Sequence, residues 1–246
     1  MTQSVLYRHE KVVHNEQAAN IVLPLIFQLE KPSSVLDIGC GLGTWLSASK
    51  NLGVVDYLGV DGEYVNKDLL TIPLINFKAH DLRTPLHLNR KFDLAICLEV
   101  AEHLPESSSD VLVSSLVCHA DKILFSAAVP GQGGQNHINE QWPEYWEKKF
   151  AVHGFYFHDT IRPLIWNNPN VDWWYRQNIF LLERKKPNGF PFNSLSVVHP
   201  ELLALCEKNK HMNYHTLITG RQGMNLAIRI FVNSVLFKIK SLFVKS

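Results

Sequence analysis

Three closely spaced glycines are the feature that most limits what this chain can fold into. Gly39, Gly41 and Gly43 follow the apolar run SVLDI at 34–38 and overlap the start of a helix-like stretch at 42–51. Glycine lets the backbone turn tightly and approach a ligand, and a helix that starts there presents free N–H groups. The motif VLDIGCGLG therefore predicts a buried strand, a ligand-binding turn and a helix. Dehydrogenases use a related turn, so the glycines alone do not specify the ligand.

Further short apolar runs alternate with helical stretches along the first half of the chain. This alternation predicts an α/β fold with a doubly wound, mostly parallel seven-stranded sheet. The predicted strands are 34–38, 56–60, 74–79, 92–98, 122–127, 155–161 and 178–183. A helix is expected at 106–119, with an N-cap among Ser107–Ser109.

The chain is expected to hold one large domain and a C-terminal helical extension. A stretch rich in Pro, Asn, Gly and Ser at 187–196 predicts a linker, followed by a helix at about 199–209. The resulting boundaries are 1–186 for the domain, 187–220 for the linker and helix, and 221–246 for a basic C-terminal helix.

Composition narrows the classes of function. The 246 residues carry 24 Lys+Arg against 23 Asp+Glu, so a net charge of +1 gives no general attraction to nucleic acid. The four cysteines form no CxxC pair, which favours a reducing compartment over a disulfide framework. The N-terminus is polar and no uncharged apolar run is long enough to span a bilayer, so we expect a cytoplasmic protein.

Acidic residues follow successive predicted strands at the places where a nucleoside cofactor would need them. Asp61 ends the second strand, where a carboxylate can bind ribose hydroxyls, and Asp81 ends the third. With Asp37 and the glycine turn, this pattern resembles the first motifs of class I S-adenosylmethionine-dependent methyltransferases. The resemblance implies that Asp37 holds the methionine end and that Asp81 contacts the adenine amino group. The implied cofactor-binding set is Asp37, Gly39, Gly41, Gly43, Asp61, Asp81, Leu82 and Leu98.

A cluster of acids and histidines is expected at the end of the fourth strand. Glu99, Glu102 and His103 are spaced to share one face of a turn, and two close carboxylates would repel unless a cation neutralised them. With His137 downstream, they resemble the Glu-x-x-Glu-His…His site of small-RNA 2′-O-methyltransferases and ubiquinone-biosynthesis O-methyltransferases. That resemblance implies a divalent metal, most often magnesium, bound by Glu99, Glu102, His103 and His137 near the acceptor hydroxyl. Without a metal, Glu99 would lie beside the cofactor, Glu102 and His103 would start a helix, and His103 or His137 would act as a catalytic base.

Two aromatic segments suggest where the methyl acceptor binds. Residues 137–146 and 172–178 are dense in Trp, Tyr and polar side chains. They resemble methyltransferases of bacterial polysaccharide and glycan modification, which implies a saccharide hydroxyl as acceptor; a buried aromatic lid is the alternative. The aromatic and basic side chains concerned are Trp142, Trp146, Trp173, Trp174, Tyr175 and Arg176, of which we assign Trp142, Trp173, Trp174 and Arg176 to the substrate.

The last 26 residues, 221–246, contain five Lys/Arg and no acid. As a basic amphipathic helix, this segment either contacts the inner face of a membrane peripherally or packs against protein. The sequence thus predicts a metal-assisted O-methyltransferase. A metal-independent small-molecule O- or N-methyltransferase and a cofactor-binding but inactive scaffold subunit are the alternatives, and a nucleic-acid methyltransferase is disfavoured by the charge.

Overall fold

The computed structural model describes residues 16–28, 30–184 and 196–218, with side chains up to 209. The chain divides into two compact units, residues 1–199 and 200–246. The first unit contains the sheet, and the second contributes one described helix, α7 (Pro200–Ile218). The expected linker at 187–196 and the basic tail at 221–246 lie almost or entirely outside the described residues.

The first unit is built on one seven-stranded sheet of order β3-β2-β1-β4-β5-β7-β6. Its first five strands are parallel, and β7 runs antiparallel to both β5 and β6. The strands are β1 (Ser34–Ile38), β2 (Asp56–Asp61), β3 (Phe77–Ala79), β4 (Leu94–Leu98), β5 (Lys122–Ser126), β6 (Tyr156–His158) and β7 (Phe180–Glu183). The predicted doubly wound, mostly parallel sheet is therefore confirmed.

Helices cover both faces of this sheet. They are α1 (Gln17–Phe27), α2 (Thr44–Asn51), α3 (Ser109–His119), α4 (Pro143–Ala151), α5 (Arg162–Ile165) and α6 (Trp173–Asn178). The central strand β4 is buried at every position, as its apolar sequence LAICL requires when helices pack on both sides. Among the described residues, no helix combines the length and the hydropathy needed to cross a membrane.

Two apolar clusters make up the core, one on each side of the sheet. The first includes Phe125 of β5, Trp146 and Phe150 of α4, and the inner residues of α3. The second joins α1 and α2 to the opposite faces of β1 and β4. Because β1, β2, β4 and β5 each contribute buried residues to both clusters, the loops at the carboxyl ends of these strands are fixed to one rigid edge.

The structure differs from the predicted elements in several places. Of the predicted strand 74–79, residues Leu74–Asn76 form a 3₁₀ turn after Pro73, and only Phe77–Ala79 pair with β2. Helix α3 begins after another 3₁₀ turn, and its N-cap Ser108 makes no side-chain capping hydrogen bond. Helices α1, α4, α5 and α6 were not among the predicted elements.

Candidate active site

The glycine turn at 39–43 has the backbone that its sequence predicts. Gly39, Gly41 and Gly43 have φ angles of 84°, 52° and 82°, which are left-handed conformations that side chains disfavour. A Cβ on Gly39 would lie 2.3 Å from a methyl carbon of Val100, and one on Gly43 would lie 2.8 Å from Ile72. Glycine is thus required here both by conformation and by space, and the turn packs tightly against the loop after β4.

Asp37 is a buried carboxylate beside this turn. Only 3% of the residue is exposed, and its Oδ2 atom has no hydrogen-bond partner among the described residues. Burial, with a smaller contribution from the charge of Asp61, raises the pKa of Asp37 well above its usual value. A carboxylate in this state favours a cationic ligand, because a nearby positive charge would offset the cost of ionising it.

Asp61, at the end of β2, ties the glycine turn to the next loop. Its Oδ2 accepts a hydrogen bond from the Gly41 N–H at 2.7 Å. Its Oδ1 accepts from the Gly62 N–H at 2.6 Å and from the Tyr64 hydroxyl at 2.7 Å. The carboxylate predicted to bind ribose hydroxyls therefore accepts a phenolic hydroxyl in this structure.

The third predicted acid, Asp81, lies two residues beyond the end of β3 rather than at the strand end itself. It is exposed, and Arg83 binds it with two parallel contacts, Nε to Oδ1 at 2.9 Å and Nη2 to Oδ2 at 2.7 Å. These hydrogen bonds lower the pKa of Asp81. The two apolar residues assigned to the cofactor, Leu82 and Leu98, are both buried at 8% exposure.

Glu102, His103 and His137 come together at the carboxyl edge of the sheet. One ligand atom from each lies within 4.8 Å of the others, and the two imidazole centroids are 4.9 Å apart. Glu102 and His103 lie on the 3₁₀ turn Ala101–His103 after β4, and His137 lies in the loop after β5. Three of the four predicted metal ligands are thus neighbours.

The Glu102 side chain is fully buried, and within the described part of the chain neither carboxylate oxygen makes a hydrogen bond of good geometry. Burial and the nearby charge of Glu99 raise its pKa well above the usual value, and the backbone N–H groups of Glu102 and Ala128 offset only part of this. An oxygen donor beside two imidazoles suits a hard or borderline divalent ion. A cation at this point would neutralise the buried carboxylate, so the residues fit a metal.

Glu99, the fourth predicted ligand, lies beside these three but is not one of the group. Its carboxylate accepts hydrogen bonds from Gln132 Nε2 at 2.8 Å and from Asn178 Nδ2 at 3.1 Å. Its φ angle of 53° is left-handed, which is rare outside glycine and marks strained positions at functional sites. Burial raises the pKa of Glu99, while the hydrogen bonds from Asn178, Gln132 and Ser126 act in the opposite direction.

Gln132 and Asn178 are site residues that sequence reasoning missed. Asn178 donates to Gln132 Oε1 at 2.8 Å as well as to Glu99, so the two amides and the carboxylate form one network. Glu140 was also missed; it accepts a hydrogen bond from Nδ1 of His137 at 2.9 Å. The spacing His-x-x-Glu was the one available signal for Glu140, whereas Asn178 was hidden in a segment interpreted as an acceptor surface.

The predicted acceptor residues have different surroundings. Trp142 is 40% exposed in the loop before α4, and the half-buried rings of Trp173 and Trp174 meet edge to face with centroids 5.6 Å apart. Arg176 is buried and donates to the Trp166 carbonyl at 3.1 Å, so its guanidinium is bound to the protein's own backbone. Trp146 is in the core, 2% exposed, and does not belong to an open platform.

Comparison with known proteins identifies the family. A family profile described as a methyltransferase domain matches residues 9–167. The chain belongs to this methyltransferase family. Among curated proteins, no sequence matches this methyltransferase significantly.

Solved structures share the fold of this methyltransferase at low sequence identity. The sugar N-methyltransferase KedS8 from Streptoalloteichus sp. ATCC 53650 aligns with a TM-score of 0.55 and 13% identity, over 76% of this chain and 98% of that one. CalS10, an amino pentose methyltransferase from Micromonospora echinaspora, solved with S-adenosylmethionine bound, aligns with a TM-score of 0.50 and 13% identity, over 74% and 100%. The methyltransferase domain of bacterial CtHen1-C gives 0.50 and 20%, over 69% and 96%.

These findings confirm the predicted class of enzyme. The protein is a methyltransferase that uses S-adenosylmethionine, on a Rossmann-like fold. The individual residues assigned to the cofactor, the metal and the acceptor stay predictions.

Proposed function

We propose that this methyltransferase methylates a hydroxyl group of a saccharide, with a divalent cation, most simply magnesium, bound by Glu102, His103 and His137. The observation that supports the metal is the Glu102 carboxylate, which is fully buried beside two imidazoles and has no good hydrogen bond from any described residue. Such a carboxylate is costly to the fold unless a proton or a cation neutralises it, and the two imidazoles beside it are the further ligands that a divalent cation needs.

Each part of the carboxyl edge has a role in this proposal. Asp37 binds the ammonium group of S-adenosylmethionine, whose methyl group is the electrophile. The glycine turn and Asp61 form the floor of the cofactor site, since their hydrogen bond fixes the position of the Gly41 backbone. A divalent ion held by Glu102, His103 and His137 would lower the pKa of the acceptor hydroxyl and orient it. Glu99 is held in place by Gln132 and Asn178 between the two sites.

The proposal of a saccharide acceptor is supported by partly exposed aromatic side chains near the carboxyl edge of the sheet. Trp142, Trp173 and Trp174 offer ring faces that pack against the apolar faces of sugars. Two solved relatives, named as a sugar N-methyltransferase and an amino pentose methyltransferase, show that this fold can accommodate sugar acceptors. Their identity of 13% supports the capacity of the fold rather than a particular sugar.

The proposal is tested by methyl transfer from radiolabelled S-adenosylmethionine to a panel of free, phosphorylated and nucleotide-linked sugars, with a catechol and an RNA oligonucleotide beside them. We expect transfer to a sugar hydroxyl that EDTA abolishes and Mg²⁺ restores. Transfer to the catechol or the RNA alone would refute the saccharide assignment.

A pair of variants tests the metal. Glu102→Gln keeps the shape of the side chain but removes its charge, so it should lose metal-dependent transfer while still binding S-adenosylhomocysteine. Glu106→Gln, on the exposed turn just downstream, is the matched control and should behave as the unmodified protein. Full activity of the dialysed protein in excess EDTA would exclude the metal and leave His103 or His137 as the catalytic base.

A further inference from the structure

Glu140 connects the loop after β5 to the candidate metal site. Its Oε1 accepts hydrogen bonds from Nδ1 of His137 at 2.9 Å and from the Gly133 N–H at 2.7 Å. Its Oε2 accepts from the Gly131 N–H at 2.7 Å. The side chains of Glu140 and His137 are only 19% and 11% exposed, so water competes weakly for these bonds.

We infer that Glu140 is a positioning residue that holds His137 as the Nδ1–H tautomer and leaves its Nε2 lone pair for the group formed with Glu102 and His103. A carboxylate can only accept hydrogen bonds, so the proton of a neutral His137 must be on Nδ1. Nε2 is then the nitrogen left to bind a ligand. The metal-binding consequence rests on the proposed function, whereas the tautomer does not.

The backbone beside His137 is consistent with this orientation. A Cβ on Gly134 would lie 2.2 Å from Nε2 of His137, so a side chain at this position would occupy the space next to that nitrogen. The segment GQGG at 131–134 therefore has two functions. Two of its N–H groups bind Glu140, and its last residue leaves room at Nε2.

A carboxylate on the far nitrogen of a metal-binding imidazole fixes the ring and raises its basicity. Removing such a partner typically lowers metal affinity about 10- to 100-fold. We expect Glu140→Ala to produce a loss of that size. Glu140→Gln should produce a smaller one, because the amide oxygen of glutamine can still accept the Nδ1 proton.

The experiment combines two measurements on the full chain. Long-range ¹H–¹⁵N correlation spectra of histidine-labelled protein at about pH 8.5, with His137→Gln for assignment, report the tautomer without metal. Calorimetric titration with Mn²⁺ alone reports the affinity. Glu144→Ala is the control, since that carboxylate accepts a hydrogen bond from the Ser196 hydroxyl at 2.6 Å and leaves His137 untouched.

We expect an Nδ1–H tautomer in the unmodified protein and in Glu144→Ala, and its loss in Glu140→Ala with weaker Mn²⁺ binding but unchanged S-adenosylhomocysteine binding. An unchanged tautomer in Glu140→Ala would overturn the inference. So would parallel losses of melting temperature and cofactor binding with no change at His137, because these indicate a purely structural role. If the unmodified protein binds no Mn²⁺ but the tautomer still depends on Glu140, the proposed metal is wrong and the positioning role stands.

Discussion

Replacing Asp37 with asparagine should stabilise the free protein and at the same time weaken cofactor binding. The buried Oδ2 atom of Asp37 has no hydrogen-bond partner among the residues that the structure describes, and burial raises the pKa of this carboxyl group. An asparagine side chain carries no charge to bury. Asp37→Asn should therefore raise the free energy of unfolding by about 1–3 kcal/mol at neutral pH. At roughly 2–4 °C per kcal/mol for a chain of this size, the melting temperature rises measurably.

The pH dependence of this gain has a defined sign. The folded protein holds the Asp37 proton more tightly than the unfolded chain does. The contribution of this group to the free energy of unfolding is therefore fully present below the ordinary pKa of an aspartate. That contribution is lost as the pH rises through the folded-state pKa. The difference in melting temperature between Asp37→Asn and the unmodified protein should therefore be small near pH 4.5 and should widen toward pH 8.

Cofactor binding should move in the opposite direction. The loss of one partner of a buried charge pair costs about 2–5 kcal/mol, or roughly 30- to 5,000-fold in the affinity for S-adenosylhomocysteine. The ammonium group of the ligand favours the ionised carboxylate, so binding to the unmodified protein should release a proton. Calorimetry in buffers of different ionisation enthalpy detects that proton, and it should be absent in Asp37→Asn.

The control is Asp68→Asn, a change of the same chemistry at an exposed position in the same half of the domain. It should alter neither the melting curve nor the binding isotherm. The reasoning is refuted if Asp37→Asn lowers the melting temperature at every pH, or if it binds S-adenosylhomocysteine within about threefold of the unmodified affinity.

Three further predictions follow from the described contacts and the sequence. Gly39→Ala should destabilise the fold by about 1–3 kcal/mol more than Gly131→Ala in thermal melts, because both glycines have φ near 85° but only the first new Cβ meets a valine methyl, at 2.3 Å. Asn178→Leu should lower the free energy of unfolding by about 1–3 kcal/mol by leaving the partly buried Glu99 carboxylate short of a donor, and chemical denaturation measures this cost. Deleting 221–246 should abolish co-sedimentation with anionic vesicles while methyl transfer persists; a large fall in melting temperature would instead indicate a helix packed on protein.

The sequence allowed most of the sheet to be predicted, because parallel strands buried on both faces are short apolar runs. The strand 34–38 matches β1 residue for residue, and the runs 56–60 and 122–127 each differ from β2 and β5 by one residue. Helix α4 was not predicted, because the sequence WPEYWEKKF was interpreted as part of an aromatic surface segment. In the fold its Trp146 turns inward, toward Phe125 at a centroid distance of 5.5 Å.

In the candidate site, the sequence predicts the contacts between residues that are close together along the chain. Glu102 and His103 are neighbours on one turn, so their proximity follows from the sequence. The hydrogen bond from Asn178 to Glu99 spans 79 residues and depends on the last residue of α6 lying beside the residue that follows β4, a relationship that no short motif contains. The left-handed backbone of Glu99 likewise has no signal in residue type, because glutamate rarely adopts a positive φ angle.

The carbonyl oxygen of Glu102 accepts hydrogen bonds from the N–H groups of Ile138 and Asn139 at 2.9 and 3.1 Å. This link is made entirely by the main chain, and it joins the turn that carries Glu102 and His103 to the residues immediately after His137. These main-chain hydrogen bonds therefore hold the turn and the loop of His137 together whether or not an ion is bound. If the proposed ion binds here, its removal should leave the loop in register, so adding the ion back should restore activity without a refolding phase. Substitutions of the Glu102 side chain should likewise leave these main-chain hydrogen bonds intact. They therefore test the chemistry of the site rather than the position of the loop.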